Sequence, residues 1–215
     1  MPGLNDDEIA RLAEAGRTER VERGKVVPLD GPTAAIVIDG CWRVFRNAAF
    51  ARDVTLFLAK RGDVLAPGTL FGQRGGESGA QAIGASSIAL LAADVFERIA
   101  GDDAALYLSL ARNIAHRTAQ VQAKLERFSR APAEACVAAA LLELCDDFGI
   151  PVAGGGHRLE LPLSQTDLAR LAGTTRETAS TAMAAFARRG LVRGRLNGLV
   201  IADAPGLTAA AETFV

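Results

Sequence analysis

The sequence predicts an α+β chain in three parts: a jelly-roll-like N-terminal β-roll, a long helix, and a C-terminal winged helix-turn-helix. Three observations carry this. Between about Val21 and Leu91, short apolar runs alternate with glycine punctuation. From Asp103 to Phe128, apolar residues recur at heptad spacing. From Leu163 to Leu191, two short amphipathic stretches flank a glycine, and an Asn-Gly pair between apolar runs follows them. Period-2 texture, a 3.5-residue seam and a helix–turn–helix pattern demand different local structures, so the chain must change architecture along its length.

Length and charge set the frame. A chain of 215 residues forms one large domain or two small ones, with enough apolar content for proper cores. Its 24 basic and 25 acidic residues leave a net charge of −1. The N-terminus, MPGLNDDEIARLAEAG, is acidic and amphipathic. It predicts a short helix over 4–15 and no secretory leader. No run reaches the apolar length of a membrane helix. Cys41, Cys136 and Cys145 are widely spaced, without the Cys-x-x-Cys spacing of zinc or iron–sulfur sites. Cys136 and Cys145 fall in an alanine- and leucine-rich helical segment and read as buried thiols. The expectation is a cytoplasmic, soluble protein with neither membrane nor metal partner.

The roll rests on segments such as TAAIVIDGCWRVFRNAAF, RDVTLFLAKRGDVL and QAIGASSIALLAA. They yield about eight short strands between Gly, Asp and Pro turns. The roll contains no histidine, so the His–carboxylate metal cluster of a jelly-roll enzyme is absent and an enzyme is not expected. Asp94–Ile99 follows as a short helix, and Asp102 or Asp103 begins the long one. There Tyr107, Ile114, Val121 and Phe128 recur every seven residues, and Leu106, Leu110 and Leu125 widen the seam. Arg117 and Lys124 are polar intrusions, and Arg117 is taken into the expected interface. About 26 helical residues span about 39 Å, more than one small roll covers, so a second copy of the chain is the expected partner. Ser129-Arg130-Ala131-Pro132 ends the helix, because Pro132 disfavours α geometry at Ala131 yet suits the first turn of a new helix. The expected parts are therefore 1–101, 102–131 and 132–215. A helix to about Phe148, a flexible loop over 149–157 and a short strand over His157–Leu161 lead to the helix-turn-helix.

Ser164 caps the first of the paired helices, with Asp167 completing a capping box. Leu168, Leu171 and Ala172 give it an apolar face, and Gly173 permits the turn. Thr175 caps the second helix, whose buried stripe is read as Ala179, Met183 and Phe186. That leaves Arg176, Glu177, Ser180 and Thr181 outward. An Arg and a Glu in a first turn suit base-edge readout, since Arg pairs with guanine and Glu accepts from cytosine. Asn197-Gly198 marks a hairpin, so Leu191–Ile201 reads as a β-wing. Over 162–200 six arginines face Asp167 and Glu177, a net of +4 in a chain of net −1. Such concentration is the footprint of phosphate contact. Ser164, Thr175, Arg188, Arg189, Arg193 and Arg195 are the expected phosphate-side contacts, and double-stranded DNA is the expected partner.

In this order of parts the chain resembles the CRP/FNR family of bacterial transcription regulators. The likeness is most specific in AGTTRETAS at 172–180 and in Arg189-Gly190-Leu191-Val192. It is looser at Gly24-Lys25, Ile38-Asp39-Gly40 and Arg61-Gly62-Asp63-Val64. The resemblance implies a homodimer on a palindromic operator, with the second helix in the major groove and Ser180 at a base-contact position. Thr181 stands where many relatives carry Arg. It also implies that 149–157 is a surface for RNA polymerase, hence an activator. Cyclic-AMP-binding members use a roll glutamate and an Arg-Ser pair. This chain has Pro67 and Gly76-Glu77 near those places, with Arg74 the alternative phosphate cation, so cyclic AMP is not expected in the usual pocket. Haem, used by other members, would have only His116, Cys41 or Pro2 as ligand, and no cofactor is expected. The residues name no effector. An alternative reading makes the roll a sensor of haem or a small molecule, with a helical C-terminus that binds protein; it predicts no salt-dependent DNA affinity.

Overall fold

Among the described residues, the short apolar runs of the N-terminal half form eight strands in two four-stranded antiparallel sheets. The computed structural model describes residues 3–29, 31–47, 53–73 and 78–212. Pro2, Arg74, Gly76 and Glu77, invoked above as haem or phosphate groups, lie outside the described residues. One sheet runs β1(Arg17–Val21), β8(Ser86–Ala92), β3(Thr33–Asp39), β6(Val64–Leu65); the other runs β2(Val26–Pro28), β7(Ser78–Ala82), β4(Trp42–Asn47), β5(Asp53–Ala59). The strand β3 is buried on both faces. Ala35 and Val37 enter the core between the sheets with Trp42, Val44, Leu65 and Ile88. Ala34 and Ile36 enter a second core with the helices α1(Asp6–Ala15), α2(Ala93–Ala100) and the start of α3(Ala104–Arg130). A continuous apolar run suits such a doubly covered strand.

Helix starts follow their capping chemistry. Asn5 and Glu8 form a capping box at α1, with Glu8 N–H donating to Asn5 Oδ1 at 2.9 Å and Asn5 N–H to Glu8 Oε2 at 2.7 Å. At α3 the Asp103 carboxylate accepts the Leu106 amide at 3.1 Å, while Arg11 donates to it at 2.7 Å. The Arg11 guanidinium and the Leu106 amide hold the Asp103 carboxyl below the usual range.

The chain divides into two compact units, 1–122 and 123–215, and the division falls inside α3 rather than at the proline. The first half of α3 is thus part of the roll unit, which corrects the expected dimer face. Leu106 and Leu110 are fully buried in the roll's own second core, where Tyr107 and Ile114 pack beside them. Tyr107 meets Phe96 edge-on at 5.6 Å between ring centroids. Arg117 is also internal. Its Nε donates to Asp63 Oδ1 at 3.1 Å and its Nη2 to Asp63 Oδ2, and it lies 5.0 Å over the Phe57 ring. Asn113 donates to Asp63 at 2.7 Å and accepts the Val64 amide at 3.1 Å. A roll placed against a helix wins these residues first, because intramolecular burial costs no association entropy.

In the second unit α4(Ala133–Phe148) starts behind Pro132 and carries the buried row Val137, Ala138, Leu141 and Leu144. The segment expected as a flexible loop is a hairpin: β9(Gly149–Pro151) pairs antiparallel with β10(His157–Leu159), around Gly154, Gly155 and Gly156 at φ near +90°. Backbone pairing on the edge of a sheet overrides the glycine-rich composition. The same sheet holds the wing, in the order β11(Val192–Arg193), β12(Leu199–Ile201), β10, β9. The last element, α7(Ala204–Glu212), buries Leu207 and Ala210.

Candidate nucleic-acid interface

The interface is built on α5(Gln165–Leu171) and α6(Arg176–Arg188). The capping box forms as the sequence predicts. Asp167 N–H donates to Ser164 Oγ at 3.2 Å, and Ser164 N–H to Asp167 Oδ2 at 2.9 Å. Leu168, Leu171 and Ala172 are buried. Gly173 then takes φ +66°, and a Cβ there would lie 2.4 Å from Cζ of Phe128. Gly173 is therefore required twice, by its backbone angle and by the ring seated on it. Phe128, expected at the dimer seam, instead packs on this turn and is 38% exposed.

Thr175 caps α6, accepting the Thr178 amide at 3.2 Å. The buried stripe of α6 is Ala179, Ala182 and Phe186; Met183, expected in it, is only half-buried. Ala179 and Ala182, both small, let the start of α6 lie close on its neighbours, and Phe186 fills the space beyond them. Arg176, Glu177 and Thr181 are exposed on the opposite side, with Ser180 half-buried beside them. The Thr181 hydroxyl donates to the Glu177 carbonyl at 3.0 Å, so its proton serves its own helix. Ser164 likewise donates to Asp167 at 2.6 Å, and the hydroxyl serves the cap. Arg188 is exposed at the end of α6, whereas Arg189 pairs with Glu134 of α4 at 3.2 Å.

The wing forms where the sequence places it, with Asn197 and Gly198 in the turn before β12 and Gly198 at φ +98°. Val192 pairs with Ile201 and Arg193 with Val200, and the connection between the two strands covers 194–198. The Gly198 amide donates to the Leu159 carbonyl at 3.1 Å and Leu196 is buried, which draws the tip back onto β10. Arg193 and Arg195 remain exposed on the wing. The structure thus brings Arg176, Glu177, Ser180 and Thr181 together on one helix face and puts Arg193 and Arg195 on the wing of the same unit.

The other candidate groups scatter. Cys41 is buried in the roll, and His116 is half-buried on α3. Among the described residues no three His, Cys, Asp or Glu side chains gather as a metal site. No helix among them is long and apolar enough to cross a membrane. Burial raises the Cys136 and Cys145 thiols above their ordinary range, away from thiolate chemistry. Sequence reasoning missed the Asp63–Arg117–Asn113 network. The available signal was polar residues on a helical row shared with Leu106 and Leu110.

Comparison with known proteins follows this geometry. Residues 137–210 match the Crp-like helix-turn-helix domain. The CRP-like cAMP-activated global transcriptional regulator of Mycobacterium tuberculosis is 26% identical over 208 residues, covering 95% of this chain and 92% of that protein. A CRP/FNR-family transcriptional regulator from Thermus thermophilus superposes with a TM-score of 0.70 at 25% identity, over 93% of this chain and 100% of that one. FixK2 from Bradyrhizobium japonicum superposes at 0.76 with 22% identity, over 91% and 96%.

Proposed function

We propose that this chain is a CRP-like transcriptional regulator whose helix-turn-helix binds DNA, acting as a homodimer that reads a palindromic operator through Arg176 and Glu177. The observation that carries the reading is the first turn of α6, where a capped helix exposes Arg176 and Glu177 while Ala179, Ala182 and Phe186 are buried. In the major groove Arg176 donates to guanine and Glu177 accepts from cytosine, which favours a G·C-containing half-site. Arg188, Arg193 and Arg195 are the phosphate contacts that set register. Arg189 contributes less, because Glu134 already holds it.

The dimer face shifts from the expected row to the one α3 leaves uncovered. Leu108 is 49% exposed and Leu125 is 64% exposed, with Ala111, Ala115 and Ala119 exposed between them. Small residues let two such helices approach closely, and Val121, half-buried, flanks the seam. Paired subunits then set two α6 helices about 34 Å apart, one turn of duplex. The hairpin of β9 and β10 is the surface for RNA polymerase in an activating complex.

A gel-shift titration against an operator selected from random duplexes tests the reading. Arg176→Ala loses about 1–3 kcal/mol and relaxes one base preference, while Arg193→Ala weakens all sequences alike and lowers the salt slope by about 1. Unchanged discrimination in Arg176→Ala refutes the assignment. Sedimentation checks the dimer: Leu125→Lys yields monomer.

A further inference from the structure

We infer that Thr181 reads the 5-methyl group of a thymine in the major groove, beside the base pair read by Glu177. The inference rests on the proposed placement of α6 in that groove and adds a base identity to it. Thr181 is exposed one helical turn after Glu177, on the same face. Its hydroxyl donates to the Glu177 carbonyl at 3.0 Å. A threonine hydroxyl has one proton, so none is left for guanine, for the adenine ring nitrogen or for the thymine carbonyl. What the side chain still offers the groove is its Cγ2 methyl.

The row around that methyl is short and apolar. Glu177, Thr181, Ala184 and Arg188 follow one another along the exposed face of α6, each a turn apart. Charged groups stand at both ends of the row, and two methyl-bearing side chains fill the middle. Short side chains there let the helix backbone come close to the base edges. The 5-methyl of thymine is the one apolar group that the four bases present in the major groove. Covering it removes apolar surface of both partners from water. Four residues of helix rise about 6 Å, close to two base-pair steps of about 3.4 Å, so the thymine lies within two base pairs of the one Glu177 reads.

The Thr181 oxygen keeps its lone pairs, so an amino group of adenine or cytosine is the competing partner. The two contacts use different halves of the side chain, the methyl in one case and the oxygen in the other.

The test is a fluorescence-anisotropy titration of the full chain with the selected operator, each thymine being exchanged in turn for deoxyuridine in both half-sites. The exchange removes one methyl and leaves every hydrogen bond of the base pair in place. Glu177→Ala locates the pair that Glu177 reads. At one thymine within two base pairs of it, the exchange weakens binding by roughly ten-fold or more, since each buried methyl is worth roughly four-fold. Thr181→Val keeps a methyl and loses the hydroxyl, and the deoxyuridine penalty persists. Thr181→Ser keeps the hydroxyl and loses the methyl, and it binds both operators equally. Both changes fall on an exposed position and leave the buried stripe of α6 intact. Three results overturn the inference: no deoxyuridine penalty at any thymine within reach, a penalty unchanged in Thr181→Ser, or base discrimination lost in Thr181→Val and kept in Thr181→Ser. Discrimination lost in Arg176→Ala without a methyl penalty refutes this inference alone. A methyl penalty with unchanged discrimination in Arg176→Ala refutes the Arg176 assignment alone, and a chain that binds no duplex refutes both.

Discussion

Arg117 and Lys124 stand one heptad apart on the same helix and are almost equally buried, at 6% and 4% exposure, yet their charges are treated in opposite ways. Arg117, in the roll unit, is held by Asp63 and Gln120. Lys124, in the second unit, has no hydrogen-bond partner for its ammonium among the described residues. The Glu143 carboxylate that would complement it is already engaged by Arg127. Burial lowers the Lys124 pKa from 10.5 to about 8, against the pull of Glu143, with Arg127 pushing it further down. A planar guanidinium can lock two carboxylate oxygens at once, whereas an ammonium on a flexible stem depends on what its surroundings leave over. The first half of α3 is thus fixed by polar chemistry as well as apolar packing. The second half tolerates a charge that works against its own burial.

The largest expected effect tests the paired side. Arg117→Ala leaves the Asp63 carboxylate buried against neutral donors, the Asn113 side-chain amide and the Lys60 backbone amide, and costs about 3–5 kcal/mol in urea unfolding. A loss below about 1 kcal/mol would show that Asp63 is readily rehydrated, and the contrast between the two halves would fail. Replacing Asp63 and Arg117 together by apolar residues of similar volume recovers most of the loss, because neither charge is then stranded.

Next comes the unpaired side. Lys124→Met removes the buried ammonium and keeps an unbranched stem, so stability near neutral pH rises by about 1–3 kcal/mol. The sign with pH follows from the lowered value. Between pH 8 and 10.5 the unfolded chain holds the lysine proton and the folded chain releases it, so stability rises with pH across that window. Below about 8 the penalty is fully present. The difference between wild type and Lys124→Met should therefore be flat below pH 8 and shrink toward pH 10.5. A difference that stays constant would place the Lys124 ammonium in solvent.

Glu143→Gln sharpens the same comparison with a smaller effect. It removes the anion that raises the Lys124 pKa, so the pH window begins below 8, and loss of the partly exposed pair with Arg127 costs under about 1 kcal/mol. Comparable in size is Thr175→Ala at the cap of α6, about 1 kcal/mol, read out as fraying of that helix by hydrogen exchange.

How far the site was legible depends on how local its signals are. The Ser164–Asp167 box, the Thr175 cap and the Gly173 turn each need only neighbours within four residues, and all three form as read. The wing was less legible, because its connection is governed by Leu196 and Gly198 meeting β10, far back in the chain. The row on α3 was least legible. Leu106, Leu110 and Arg117 carry the same periodicity whether they face a second chain or their own roll, and periodicity does not encode which surface arrives first.

The sequence by itself determined the order of the parts, the eight-strand texture of the roll, the break at Pro132 and the outward Arg176–Glu177 turn. These follow from backbone preferences, caps and hydrophobic period, which act over a few residues. Tertiary structure alone decided that Asp63 would claim Arg117, that Ala182 rather than Met183 would fill the stripe of α6, that Phe128 would cover Gly173, and that Lys124 would be buried without a hydrogen-bond partner among the described residues. Those outcomes are set by competition for space and for counter-charges among segments distant in the chain, and only the closed fold resolves it.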